Sequence, residues 1–457
     1  MQNTAVLLAV GLTRPLIDGG MPRLRRFAAR HAVCSLRPVL PAVTCSVQAC
    51  ILTGRPVREH GIVGNGWYNR ELAEVQFWKQ SNRLVQGEKI WDTARHRDPA
   101  FTCANLFWWF NMYSSADVSV TPRPIYKADG RKVPDVYTEP AGLRDDLQDR
   151  LGRFPLFSFW GPRADIHSTR WIVDAAQIVQ QKHNPTLTLI YLPHLDYALQ
   201  RAGPAGPEAL QAAGELDVEL DRLIRHYEAR ATRVIVLSEY AIEPVDDAVH
   251  VNRVLHQEGL LRIRDEGGGE LLDAGASRAF AVADHQVAQV YVRDAADVAR
   301  VADICGAIPG VEQVLDRAAQ AALEIDHQRA GELVLVAAPR RWFSYNYWLD
   351  DSRAPDFART VDIHRKPGYD PCELFIDPTM SFSGPRIAWK MLRSKLGFRT
   401  LFDVIPLDAS LVRGSHGRPT DPANGPVLIA PAALLAGAEA LPCGAIHDLI
   451  LNSVFGA

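Results

Sequence analysis

Short runs of apolar residues, each about the length of a strand, recur along this chain between segments whose apolar positions repeat at helical spacing. Val6–Val10, Thr186–Leu192, Val234–Leu237 and Glu332–Ala337 are the clearest runs, rich in Val, Ile and Leu. They largely lack the polar alternation of a strand with one wet face. Between them, Ala209–Ala229 places Leu210, Leu216, Leu220, Leu223 and Ile224 near one helical face. Continuous apolar strands alternating with helices predict an α/β fold, a mostly parallel sheet covered by helices on both faces. In such sheets reactive groups gather just beyond the carboxyl ends of the strands. Three segments sit there: the residues after Val10, the Pro193–Pro204 loop, and Ser238-Glu239-Tyr240.

The pattern changes between residues 246 and 323. Ala281–Val292 reads as a strand, Ala295–Ala307 as a helix and Val311–Leu315 as another strand. A small inserted α+β cap subdomain is expected over 246–323, with 1–245 and 324–457 forming the core.

Composition narrows the partners. A formal net charge of -3 and a pI near 6.5 argue against a nucleic-acid polymer as ligand. No apolar run reaches membrane-spanning length, and the N-terminus lacks the cationic start and long apolar run of a secretory leader. The seven cysteines contain no CxxC pair, so buried reduced thiols and a cytoplasmic location are expected. These patterns carry no signal for oligomeric state.

The segment richest in chemistry is Pro41-Ala-Val-Thr-Cys-Ser-Val-Gln-Ala-Cys-Ile-Leu-Thr-Gly54, followed by His60-Gly-Ile-Val-Gly-Asn65. Val47–Leu52 reads as a helix ended by Thr53-Gly54. Thr44 then falls near the helix N-cap, beside free backbone N–H groups and the positive end of the dipole, a setting that suits a phosphate. A simple capping threonine is the plain alternative.

These stretches resemble the nucleotide pyrophosphatase/phosphodiesterase branch of the alkaline phosphatase superfamily. The resemblance rests on Pro41, Thr44, Thr53-Gly54 and His60-Gly-Ile-Val-Gly-Asn65. It extends to Tyr191-Leu-Pro-His-Leu-Asp196 through Gly203-Pro204, Val234–Tyr240 and Arg413-Gly-Ser-His-Gly417. Arg329–Pro339 is similar to a core strand of that family. The resemblance implies an alkaline-phosphatase-like core and hydrolysis of a phosphodiester or pyrophosphate bond through a phospho-threonine intermediate. Thr44 takes the nucleophile's place, and Asn65 that of a hydrogen-bond donor to a phosphate oxygen. Asp196, Glu239 and His416 fall on metal-ligand positions, for a divalent metal, zinc by analogy, as one ion or two.

The chain departs from that pattern at three ligand positions. Val10 stands where the family has an aspartate, Gln200 where it has a histidine, and Tyr240 where it has another histidine. His194, Asp362 and His364 are candidate substitutes, the last two as an Asp-x-His pair. Trp108, Arg123, Lys127 and Arg131 lie in an aromatic and then basic stretch suited to stacking a ring and pairing a phosphate of a small phosphoester. Two other functions fit the same residues. One is transfer of a phosphoryl or nucleotidyl group to an alcohol in a biosynthetic pathway. The other is a catalytically inactive relative that binds a phosphorylated ligand or a protein partner.

Overall fold

The computed structural model describes residues 1–456. Its largest element is a nine-stranded sheet. The spatial order is Ala440–Pro442, Ala32–Arg37, Val427–Ala430, Arg233–Leu237, Thr4–Ala9, Leu187–Leu192, Cys103–Leu106, Val118–Pro122 and Val136–Glu139. The strands from Arg233–Leu237 to Val118–Pro122 are mutually parallel. Val427–Ala430 and Val136–Glu139 run antiparallel to their neighbours, so the sheet is mixed toward its margins.

Every residue of Thr4–Ala9 and Leu187–Leu192 is buried. A strand buried on both faces needs no polar alternation, which is why these runs read as continuously apolar. Ile166–His183 and Pro207–Glu228 pack together and against the central strands, while Ala445–Phe455 packs on Thr44–Thr53 and on Thr4–Ala9.

A second, antiparallel sheet orders Ala279–Asp284, Val287–Val292, Leu333–Ala337 and Val311–Leu315. It has its own apolar core, including Phe280, Val290, Leu335, Tyr345 and Trp348. Two expectations change here. Ala281–Val292 is not one strand but a hairpin turning at His285-Gln286. Leu333–Ala337 belongs to this second sheet rather than to the main one, so the sheet extends beyond residue 323. Its apolar, strand-length sequence is the same in either setting, because both sheets bury it.

Two details of the main lobe also differ from expectation. Residues 193–204 form the helix His194–Ala202 rather than a loop. The helix after Pro41 runs Thr44–Thr53, with Val43 as its cap residue and Thr44 as its first turn. All of its residues are buried, and it ends at Gly54, whose φ of 66° suits a residue without Cβ. The seven cysteines are buried and unpaired. No helix among the described residues is long and apolar enough to cross a membrane.

Candidate active site

Three adjacent parallel strands deliver the site from one edge of the main sheet. Thr4–Ala9 pairs with Leu187–Leu192 on one side and Arg233–Leu237 on the other. Their carboxyl ends therefore bring Val10, the helix His194–Ala202 and Ser238-Glu239-Tyr240 side by side. Thr44 enters from the start of Thr44–Thr53, and Asn65 from the segment that follows Gly64.

Thr44 Oγ1 donates to Glu239 Oε1 at 3.0 Å and lies 3.2 Å from the Tyr240 hydroxyl. The second oxygen of Glu239 accepts from Gln48 Nε2 at 3.0 Å, and Gln48 in turn accepts from the Trp109 N–H at 2.7 Å. Asp196 accepts from Gln200 Nε2 at 2.8 Å and from the Tyr240 hydroxyl at 3.4 Å. The Tyr369 hydroxyl donates to the Gln200 side-chain oxygen Oε1 at 2.8 Å. Asn65 Oδ1 receives the Cys45 N–H at 3.0 Å, and its amide donates to Asp284 Oδ1 at 3.0 Å. Asp284 Oδ2 also accepts the Asn65 backbone N–H at 2.7 Å.

The rings form a column. Tyr240 lies on His416 with centroids 3.6 Å apart and planes 6° apart. His416 faces His285 at 3.7 Å, and His285 stacks on Tyr369 at 3.6 Å. His416 Nδ1 meets the Ala42 carbonyl at 2.8 Å, while its buried Nε2 has no partner and sits 4.0 Å from Asp196 Oδ1.

Burial dominates the electrostatics. It pushes the carboxyls up, Asp196 to about 7, Glu239 to about 8 and Asp284 to about 6, against hydrogen bonds that act the other way. Burial also holds His285 and His416 well below the usual imidazole range, so both rings are neutral. No lysine or arginine is among the hydrogen-bond partners of these three carboxyls in the described residues. The site is held by shared protons rather than by ion pairs.

The expected metal centre does not form from these residues. Glu239 bonds Thr44 directly, and Asp196 and His416 are joined to it through Tyr240, but each carboxyl oxygen is taken by an internal donor. No group of three or more acidic, histidine or cysteine side chains among the described residues converges on one point. Val10 is fully buried and apolar, Gln200 is an amide and Tyr240 a phenol held far above its usual range. A zinc centre takes four ligands from thiolate, imidazole and carboxylate, and this donor set does not fit one ion, still less two.

The substitutes lie elsewhere. His194 points away from Asp196, bonding Glu215 at 2.9 Å. His364 meets the Phe77 carbonyl at 3.3 Å and the Tyr126 ring, and Asp362 bonds through its backbone to Glu373. Trp108 is fully buried in the main core, away from the exposed hairpin Ile125–Tyr126/Lys132–Val133 near Arg123, Lys127 and Arg131. The structure does not bring that tryptophan and those cations together.

Four participants escaped the sequence reading: Gln48, Asp284, His285 and Tyr369. Asp284 and His285 sit at the tip of the second-sheet hairpin, which bends onto the site; the Gln286 N–H binds the His416 carbonyl at 2.8 Å. The only sequence signal was a polar Asp-His-Gln interruption inside an apolar run.

A family profile described as type I phosphodiesterase/nucleotide pyrophosphatase matches residues 4–370. An uncharacterised pyrophosphatase/phosphodiesterase of Schizosaccharomyces pombe is 24% identical over 275 residues, which cover 57% of this chain and 48% of that protein. The chain thus spans about half the length of that curated relative. Among solved structures, phosphonoacetate hydrolase from Sinorhizobium meliloti 1021, in complex with phosphonoformate, superposes with a TM-score of 0.61 at 16% identity, covering 99% of this chain and 96% of that one. Murine ectonucleotide pyrophosphatase/phosphodiesterase 5, an inactive form in complex with AMP, superposes with a TM-score of 0.58 at 14% identity, covering 99% and 95%. The profile match over residues 4–370, with a fold like that of the solved relatives, places this chain in the type I phosphodiesterase/nucleotide pyrophosphatase family of the alkaline phosphatase superfamily.

Proposed function

We propose that this chain hydrolyses a phosphodiester or pyrophosphate bond, with Thr44 as nucleophile and Glu239 as its base. The observation that carries the reading is the 3.0 Å hydrogen bond from the Thr44 hydroxyl to a carboxyl whose pKa is raised to about 8. A base titrating near neutrality suits proton abstraction from an alcohol. In the first half-reaction Glu239 takes the Thr44 proton while Oγ1 bonds to phosphorus and the leaving oxygen departs with its bonding electrons. Water then attacks the phosphorus as the P–Oγ1 bond breaks; Glu239 returns its proton to Thr44 Oγ1, and the proton lost by the water balances, through solvent, the one taken up by the departed leaving oxygen. Asn65, fixed by the Cys45 N–H, has a second amide hydrogen to offer a non-bridging oxygen. The residues present do not fit a metal centre, so the proton chemistry rests on Glu239. The AMP and phosphonoformate complexes of the two structural relatives support a small phosphorus-containing substrate for this fold.

A second reading has its own observation. Thr44 is only 4% exposed, and among the described residues its hydroxyl bonds Glu239 and Tyr240 and no Lys or Arg, which suits a catalytically silent relative better than a hydrolase. The two readings separate on bis-p-nitrophenyl phosphate and p-nitrophenyl nucleoside monophosphates, assayed for wild type, Thr44→Ala and Glu239→Gln. The first requires turnover that both substitutions remove. Absence of turnover with every ester overturns it in favour of the second.

A further inference from the structure

The helix Ser383–Lys395 is amphipathic in the wrong sense for a soluble protein. A surface helix ordinarily turns its apolar stripe to the core and its charges to water. Here no residue of the helix is buried. Its half-buried inner side carries Ser383, Ser394, a single large apolar residue, Ile387, against the small cluster around Trp342 and Val404, and Lys390, whose ammonium is held by Asp403 and by the Leu401 carbonyl at 2.9 Å.

The opposite side carries Trp389, Leu392 and Leu396, spaced by three and four residues and therefore on one face. Trp389 is 60% exposed and Leu396 65%. Phe382 before the helix and Phe398 after it are exposed as well. Arg386 and Arg393 flank the stripe on one edge and Lys395 on the other, by their helical positions. From Pro378 to Phe402 the chain has five Lys or Arg residues and no Asp or Glu.

The neighbouring hairpin extends the same surface. Arg399 donates to the Ala128 carbonyl at 3.1 Å, tying the end of the helix segment to the loop of Ile125–Tyr126/Lys132–Val133. Ile125 and Tyr126 are exposed, and Lys132 lies over the Tyr126 ring at 5.6 Å. Two separate segments thus present large apolar and aromatic side chains fringed by cations on a chain whose net charge is -3.

We infer that this surface docks on an anionic phospholipid membrane, with the helix lying in the plane of the interface. Aromatic and aliphatic side chains enter the headgroup boundary, and the flanking arginines and lysines meet lipid phosphates. The attachment inferred is through this surface, since no helix among the described residues is long and apolar enough to cross a membrane. The cation fringe favours a negatively charged occupant, and the outward stripe favours one that takes up apolar side chains; an anionic bilayer supplies both.

The test is co-sedimentation of the full-length chain with phosphatidylcholine vesicles, with and without phosphatidylglycerol. The bound fraction should rise roughly tenfold with the anionic lipid and fall back in high salt. The triple substitution Trp389→Ser/Leu392→Ser/Leu396→Ser should abolish binding, and Arg386→Glu/Arg393→Glu should remove the lipid selectivity. Because these side chains are exposed, an unchanged thermal midpoint will show that the variants remain folded. Failure of wild type to bind anionic vesicles overturns the inference, as does equal binding by the triple variant. A wild-type dimer in lipid-free gel filtration that the triple variant converts to monomer also overturns it, assigning the face to a second copy.

Discussion

Tyr240 lies flat against His416, ring centroids 3.6 Å apart, at the positions where the family resemblance sets two metal-binding residues. The pair explains how the site stays intact without the expected ligands. A stacked phenol and a neutral imidazole fill the space, and the phenol hydroxyl spans the gap between Thr44 and Asp196.

Metal content should follow from this donor set. Wild-type protein, dialysed after zinc loading, should hold no stoichiometric zinc by plasma mass spectrometry. Gln200→His/Tyr240→His would surround Asp196 with three imidazoles counting His416, a set that zinc accepts, and should retain close to one ion. Stoichiometric zinc in wild type that His416→Ala releases would refute this account of the site.

The buried carboxyls predict the course of stability with pH. A carboxyl whose native pKa lies above its unfolded value keeps its proton longer in the native state. Its stabilising contribution is complete below the unfolded value near ~4 and is lost as pH rises through the native one. Asp284, Asp196 and Glu239, raised to about 6, 7 and 8, should therefore erode stability between roughly pH 4 and 8. Glu239→Gln should flatten the upper part of that decline in urea denaturation measured across the range. Neutral His285 and His416 act oppositely, their contribution disappearing as pH falls below the unfolded imidazole value near ~6.5. Turnover requires ionised Glu239, so kcat/KM should climb through about pH 8 even as stability falls.

Lys366 supplies a test outside the site. Its ammonium is buried between Asp370 at 2.6 Å and Glu373 at 2.8 Å, and the two carboxylates raise its pKa against the pull of burial. Lys366→Met keeps the side-chain length but strands two buried acids. A loss of about 3–5 kcal/mol in denaturant unfolding is expected. A loss below about 1 kcal/mol would mean that the acids simply take up protons.

Gly414 positions His416 from two residues away. A Cβ there would collide with the Leu199 carbonyl, part of the helix that bears Asp196. Because that obstacle is backbone, Gly414→Ala should cost about 1–3 kcal/mol. It should also disturb the near-ultraviolet circular dichroism of the Tyr240–His416 stack.

The main sheet was legible because its central strands are buried on both faces and show as unbroken apolar runs; Thr4–Ala9 and Leu187–Leu192 are the examples. Thr44, Asp196, Glu239 and His416 stood out in the sequence because each follows a strand or lies in the first turn of a helix inside a recognisable motif, and Asn65 because it closes the His60–Asn65 motif. The hairpin over Ala279–Val292 was not. Its turn contains neither glycine nor proline, since His285 itself takes the left-handed conformation at φ 61°. Missing that turn hid Asp284 and His285, because a single straight strand would send them to opposite faces instead of to one tip. Trp108 shows the converse failure: composition set it beside cations, but the main core claims its indole.

The ring column has a mechanical consequence. Tyr240 and His416 are carried by the main lobe and His285 by the second-sheet hairpin, so the contact between the two histidines is also a seam between the sheets. Breathing that bares Thr44 must slide apart the same faces that keep the sheets in register. The Gln286 amide, held by the His416 carbonyl across that seam, is then a native hydrogen-exchange reporter for how often the site opens.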